Sequence, residues 1–405
     1  MRLRVAVVIT RLEGGAGVLA LRGARVLNPD LFDVTLVTGS GDRLLGAAHA
    51  DGIRTLVEPS LRAPIAPRSD LRAVARVGSI LRGGAFDVMH SHCAKAGAVA
   101  RIASRRAGIP RIVHTYHGFP FHEFQSAVRR RAYITAERRL GRITDVALCV
   151  GAGVAVEAIR RGLAAPERIR TIGVAVDGTD GGPARVPVRT AETRRRARAR
   201  LGLPAGATVI GAVGRLTYQK APEDFVAAMR ALGRPDAIGV WVGGGELAGR
   251  VGRLAAASPA PRVILAGERA DVPELLPAFD VFVLPSRYEG LPTAVVEAMV
   301  CGVPVVATAV NAVGDVVVPG ETGLLVPPRR PDLLATAVNH LLNSPDIAAR
   351  MAAKARAVLG ERYSETALRG TLESAYLGSA PRQHSADLEN TGALLPAAGF
   401  WVPHR

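Results

Sequence analysis

Short runs of apolar, mostly β-branched residues recur at 5–9, 34–37, 88–90, 111–115 and 146–150, and stretches rich in alanine and arginine separate most of them. Each run is too short for a helix and lacks a polar face, the pattern of a strand buried in a parallel sheet, while the stretches between suit covering helices. The rhythm breaks at 177–187, where Gly, Asp and Pro accumulate as in a linker, and a basic helical segment follows at 191–201 before Gly202 and Pro204. A second series then runs through 209–213, 239–242, 263–266, 281–284, 303–306 and 324–326. The pattern predicts an α/β chain of two doubly wound, Rossmann-like domains: an N-terminal one at about 1–180, a linker and basic helix at 181–205, and a C-terminal one at 206–360. Ligands of such sheets bind beyond the carboxyl ends of the strands, and the candidate motifs at 14–17, 90–95, 114–118, 214–220, 243–246 and Glu289 all fall there, which predicts a single interdomain cleft.

The segment DVFVLPSRYEGLPTAVVEAMVCGVPVVAT at 280–308 is the most informative. Pro292 suits the first helical position, and Gly302 with Pro304 closes the helix. Glu289 then precedes the helix and Glu297 lies inside it, roughly 7 to 9 Å further along at 1.5 Å per residue. Free N–H groups and the helix dipole between them favour a diphosphate, leaving a carboxylate on each side to accept sugar and ribose hydroxyls. Isolated glutamates of this kind are ordinarily solvated. Here Gly290 permits close backbone approach, and Glu297 interrupts the apolar run AVVEAMV, where a carboxylate is costly unless something binds it.

Arg215 and Lys220 can project from one loop, a bidentate fork and a point charge able to stabilise a diphosphate leaving group. The chain has no Asp-x-Asp pair to hold a divalent ion, so metal independence is expected. Gly14-Gly15-Ala16-Gly17 lacks the dinucleotide-binding spacing and is read instead as a close approach to phosphate or sugar. Gly243-Gly244-Gly245-Glu246 is equally well a plain turn. His90, His92, His114 and His117 crowd two strand ends near Cys93; they offer zinc donors without a compact ligand spacing, or else place His117, followed by Gly118, near a reacting carbon.

Composition narrows the classes. Of 405 residues 48% are hydrophobic, yet no run approaches membrane-helix length, and three widely spaced cysteines fit a reducing cytoplasm rather than a disulfide framework. The net charge of +17 invites a nucleic-acid partner, but only Lys95, Lys220 and Lys354 are lysine, an arginine bias, and aromatic residues for base stacking make up only 4%. Nucleic acid is therefore not expected. The arginines at 129–131, 138, 139 and 142 could face anionic lipid, and those at 194–200 form a second cluster. Residues 379–405 lack a clear period and are expected to be largely disordered.

Taken together, GGAG, HSHCAKAG, VHTYHGFPF, GRLTYQKAP, the 280–308 block and GETGLLV resemble the retaining glycosyltransferases of family 4, with the GT-B fold, over roughly residues 4–377. HSHCAKAG with HTYHGFPFH is similar to the branch that builds bacterial surface polysaccharides and related glycoconjugates. The resemblance implies that Arg215 and Lys220 hold the donor diphosphate with Gly290 and Leu291, Glu297 the ribose and Glu289 the transferred sugar. His117 and Gly118 would lie near the anomeric carbon, and Gly15 and Ala16 near the donor phosphates or the acceptor. It further implies a nucleotide-sugar donor, most often UDP-linked, no separate cofactor, a hydroxyl acceptor that includes lipid-linked saccharides, and a last helix at 361–377 that crosses back to the first domain. Ala221 stands where many members have Gly, and IGVAVD at 172–177 replaces an Asn-Gly form. A nucleotide-sugar epimerase of the same architecture and a non-catalytic nucleotide-sugar binder are the alternative readings.

Overall fold

The computed structural model describes residues 2–41, 43–62, 64–121, 125–176, 186–257 and 261–378. Most of the linker and the C-terminal tail lie outside them. The chain divides into two compact units, one running to Ala175 and regaining the helix Glu365–Leu377, the other comprising Val176–Ser364.

In the first unit β1 (Leu3–Leu12), β2 (Phe32–Gly41), β3 (Arg54–Val57), β4 (Val88–His92), β5 (Arg111–Tyr116), β6 (Val146–Cys149) and β7 (Ile169–Thr171) form one parallel sheet in the order β3-β2-β1-β4-β5-β6-β7. The chain winds outward from β1 through β2 to β3, then returns to β4 on the other side, with Val5 opposite both Val34 and Val88. The strand interiors are fully covered, as the apolar runs require: Val5, Ala6 and Val8 are all 0% exposed. The helix Glu365–Leu377 is fastened to this unit by Arg369 Nε donating to Val26 O at 2.6 Å, Arg111 Nε donating to Ala375 O at 2.9 Å, and Leu372 packed on Gly23.

The second unit has β8 (Val209–Val213), β9 (Ile238–Val242), β10 (Arg262–Leu265), β11 (Val281–Leu284), β12 (Val305–Thr308) and β13 (Leu324–Val326) in the order β10-β9-β8-β11-β12-β13, again parallel. Its core gathers Phe225, Met229, Trp241, Val283 and Val338. Trp241 meets Phe225 edge to face at 5.6 Å and spends its N–H on Gly214 O at 2.8 Å, so the largest core side chain also braces the end of β8. Each sheet reverses its winding beside its first strand, between β1 and β4 and between β8 and β11, and such switch points open a crevice at the carboxyl ends.

The basic segment is not simply solvated surface. The helix Ala191–Arg200 is started by a reciprocal Thr190/Thr193 capping box, and Arg189, Arg194 and Arg198 converge on Asp280 at 2.9, 2.8 and 2.8 Å. Asp280 also accepts the Val209 N–H at 2.9 Å, which ties the helix to the starts of both β8 and β11. Arg195 and Arg196 pair instead with Glu192 on the helix surface. Because Arg198 is 1% exposed, Asp280→Ala strands a buried guanidinium; thermal or urea unfolding should show the C-terminal domain weakened by about 3 to 5 kcal/mol. A loss below about 1 kcal/mol would show the three arginines to be held by something else.

Candidate active site

Arg215 and Lys220 leave the end of β8, and Glu289 leaves the end of β11, the two strands that flank the switch point. Lys220 Nζ lies 2.5 Å from Glu289 Oε1, with side-chain exposures of 18% and 4%. Ser286 Oγ donates to the same oxygen at 2.6 Å, Gln219 Nε2 lies 3.4 Å from Oε2, and the Glu289 N–H donates to Asn311 Oδ1 at 3.2 Å. A buried carboxylate is thus compensated on several sides, the condition for keeping its charge away from water. Ser286, Gln219 and Asn311 were not singled out in the sequence; small polar residues next to strand ends carry little signal until their partner is known.

The loop that carries Lys220 is tightly specified. Ala221, fully buried at the entrance of the helix Pro222–Ala231, has φ +49 and ψ 54, a left-handed conformation that favours Gly, so the Gly expected here from the resemblance would relieve backbone strain. The Lys220 stem lies over Gly214, where a Cβ would meet its Cδ at 3.3 Å. Gly243 and Gly245 are more than a plain turn. At φ +134 and +147 they press on the end of β8, and a Cβ there would meet Gly214 O at 2.2 Å and Leu216 O at 2.6 Å. Arg215 is exposed, and its side chain makes no hydrogen bond or ion pair among the described residues.

The helix spans Thr293–Cys301, so Pro292 caps it, with ψ 80, rather than occupying its first position. Its first turn is also less open than the sequence suggests. Thr293 donates to Leu291 O, and Val295 and Val296 to Pro292 O, which leaves the N–H groups of Gly290, Leu291 and Ala294 without backbone acceptors among the described residues. Glu297 is half-buried between Val296 and Ala298, both 0% exposed.

In the other unit, Gly14-Gly15-Ala16-Gly17 does not form a loop: it is the first turn of the helix Gly14–Val26, directly after β1. Gly15 is exposed and Ala16 half-buried, while Gly17 is pinned because a Cβ would meet the Leu12 carbonyl carbon at 2.8 Å. The four histidines on and just after β4 and β5 are linked to one another and to hydroxyls, while His114 Nε2 is buried without a partner among the described residues. His90 joins Tyr376 Oη and Thr115 Oγ1, each at 2.7 Å, His114 Nδ1 lies 2.9 Å from Ser91 Oγ, and His92 Nδ1 lies 2.9 Å from His117 Nε2. Burial pushes His117 down to about 4, and burial with the His117 charge pushes His90 down to about 3. Burial also holds His92 and His114 well below the ordinary range, so the rings are neutral near pH 7. Among the described residues no group of His, Cys, Asp and Glu is arranged to hold a metal ion, and burial pushes the Cys93 thiol up to about 12.

Comparison with known proteins agrees with this architecture. A family model described as Glycosyltransferase Family 4 matches residues 13–179, and one described as Glycosyl transferases group 1 matches 193–358. The chain is 30% identical over 306 residues to the Escherichia coli UDP-Gal:alpha-D-GlcNAc-diphosphoundecaprenol alpha-1,3-galactosyltransferase, covering 74% of this chain and 77% of that one. It is 32% identical over 336 residues to the D-inositol 3-phosphate glycosyltransferase of Thermobispora bispora, covering 78% and 76% respectively. The crystal structure of Anabaena HepE in complex with UDP and glucose aligns with TM-score 0.80 at 21% identity, over 93% of this chain and 100% of that chain. Two parallel-sheet, Rossmann-like domains with this structural neighbour show the GT-B fold, and the family models make the chain a glycosyltransferase. The chain belongs to glycosyltransferase family 4.

Proposed function

We propose that this glycosyltransferase moves a hexose or N-acetylhexosamine from a UDP-sugar to a hydroxyl acceptor, a lipid-linked saccharide, with retention of anomeric configuration and without a bound metal. The observation that carries the reading is the buried Lys220–Glu289 pair at the switch point, with the exposed Arg215 beside it. In this reading Arg215, Lys220 and the N–H groups of Gly290 and Leu291 bind the diphosphate and stabilise the charge that develops as its bond to the sugar breaks. Glu289 accepts hydrogen bonds from the transferred sugar and Glu297 from the ribose. His117 contacts the sugar near its anomeric carbon, and Gly15 and Ala16 approach the donor phosphates or the acceptor. The leaving phosphate takes the acceptor proton, so the protein supplies position and electrostatics more than acid–base groups. The UDP-galactose donor and lipid diphosphate acceptor named for the E. coli relative support the donor and acceptor classes.

Incubation with a panel of nucleotide sugars and membrane extract should release UDP and yield a glycoside seen by mass spectrometry, with product only when acceptor is present. Product from donor alone would mark an epimerase, and UDP binding without any glycoside would mark a silent binder.

No helix of the described residues is long and apolar enough to cross a membrane. For a lipid-linked acceptor we propose peripheral contact at the cytoplasmic membrane face through the helix Ala127–Gly141 and the turn after it. These turn Ile134, Glu137 and Leu140 inward and leave Arg129, Arg131, Arg139 and Arg142 exposed. At about 1 kcal/mol per arginine, replacing Arg131, Arg139 and Arg142 by Gln should weaken binding to anionic vesicles more than about 100-fold in co-sedimentation. Unchanged binding would move the contact elsewhere.

A further inference from the structure

The Glu289 carboxylate can only accept hydrogen bonds, and a sugar hydroxyl has a single proton to give it. Its Oε1 already takes Lys220 at 2.5 Å and Ser286 at 2.6 Å, while Oε2 has only Gln219 at 3.4 Å, so the acceptor capacity left for a ligand lies on Oε2. A hydroxyl bound there has its proton on the carboxylate and its lone pairs free. Those lone pairs need a donor, which a second carboxylate could not supply.

Asn311 stands beside Glu289 with such a donor. It follows β12 as Glu289 follows β11, and the two strands are neighbours in the sheet. The Glu289 N–H has no backbone acceptor among the described residues and donates to Asn311 Oδ1 at 3.2 Å. A backbone N–H can only donate, so this contact decides which way the amide lies: its oxygen faces the Glu289 peptide, and Nδ2 with two N–H groups is turned away from it. Asn311 is exposed, and Nδ2 has no hydrogen-bond partner among the described residues. The residue is also fixed from behind. Ala312 and Val313, next in the chain, are both 0% exposed, and Asn311 itself has φ +41, a left-handed conformation that Asn tolerates better than most residues with a side chain. A residue other than Gly kept in that conformation next to a polar site points to a use for its side chain.

We propose that Asn311 is a specificity-determining residue for the sugar donor: its amide holds the Glu289 peptide through Oδ1 and donates from Nδ2 to a hydroxyl of the transferred sugar, the same hydroxyl that gives its proton to Glu289 Oε2. The inference rests on the reading of Glu289 as the sugar contact and adds a second residue to that subsite. The two side chains read one hydroxyl from both sides, proton and lone pair, and so disfavour a donor that lacks it.

The test is a cycle between this residue and the sugar, run on the full chain with the nucleotide hexose turned over fastest in the donor panel and with its monodeoxy series. Asn311→Gly, which suits the positive φ, should lower kcat/KM for the full donor about tenfold, the worth of one hydrogen bond. The ratio of wild type to variant should fall to about one for a single member of the series, the donor without the hydroxyl that Nδ2 meets. Donors that are not turned over are compared as competitive inhibitors. Asn311→Asp keeps an oxygen for the Glu289 N–H but has no N–H to offer the sugar, and should lose at least as much as Asn311→Gly with the full donor. Wild-type kcat/KM in either variant, or a ratio in Asn311→Gly that is the same for every monodeoxy donor, makes Asn311 no more than a brace for Glu289 and overturns the inference. The reading of the site survives that outcome where Glu289→Ala abolishes transfer. Full activity in Glu289→Ala overturns both.

Discussion

Lys220→Ala is expected to lower kcat by about 10²- to 10³-fold, the typical result of removing one preorganised donor from a site where transition-state charge develops. Two effects of one sign combine. The cation proposed to face the diphosphate disappears, and Glu289, at 4% side-chain exposure, is left as an anion without its counter-charge. The second effect raises donor KM as well, because the free enzyme then presents like charge to its substrate. Lys220→Arg should recover little, since a planar fork cannot take the place of a compact ammonium 2.5 Å from Oε1 and packed over Gly214.

Stability separates this loss from misfolding. Glu289 keeps Ser286 and Gln219 in the single variant, so unfolding should be easier by about 1 to 3 kcal/mol, not more. The double variant Lys220→Met/Glu289→Gln removes both charges and should melt near the wild-type temperature while remaining inactive. Initial rates of UDP release and parallel thermal melts decide the matter. Wild-type turnover in Lys220→Ala would sink the assignment of the phosphate clamp.

Much of this was legible before any coordinates. β8, β11 and β13 coincide residue for residue with the apolar runs at 209–213, 281–284 and 324–326, because a strand covered on both faces has no polar position to blur its limits. β3 and β7 escaped the reading for the converse reason: their partly exposed sequences RTLV and IRT carry no sustained apolar run. The charged residues of the site were visible singly. Their pairing was not, because Lys220 and Glu289 meet only through the adjacency of β8 and β11, strands separated in sequence by β9 and β10. The same holds for Asp280, whose three arginines come from the segment before β8. Among the histidines the sequence left metal binding and a cleft contact open. It could not show that Tyr376, 286 residues further on, would return to hold His90.

That histidine cluster sets the second large effect, a selective loss of the N-terminal domain in mild acid. In the folded state burial holds His117 down to about 4 and His90 to about 3, against 6.5 for the free side chain. Below pH 6.5 the unfolded chain therefore binds protons that the folded domain refuses. Stability is fully present above that value and falls as the pH drops towards the folded-state values. Each such histidine removes about 1.4 kcal/mol per pH unit, so His90 and His117 together cost about 5 kcal/mol between pH 6 and pH 4, comparable to the whole stability of many domains. His92 and His114 add to the slope in the same sense, and Arg101, buried with Glu137 at 2.8 Å, further opposes protonation of His114. Tyr376, Tyr116 and Cys93, ionisable groups beside the cluster, are pushed upward by burial and stay neutral through this window. The C-terminal domain has no counterpart. Its one histidine is His340, and its acid-sensitive groups are carboxylates such as Asp271, held down to about 2 chiefly by Arg269, whose contribution persists until the pH falls below 3.8. Calorimetric scans from pH 8 to pH 4 should accordingly resolve two transitions, with the N-terminal one moving down steeply below pH 6.5 and the other nearly fixed. His90→Gln should lower stability at pH 8 yet flatten the acid slope by about 1.4 kcal/mol per pH unit. A first transition that keeps its temperature down to pH 5 would mean that the buried rings take up protons without unfolding, and the neutral, hydrogen-bonded cluster would have to be redrawn.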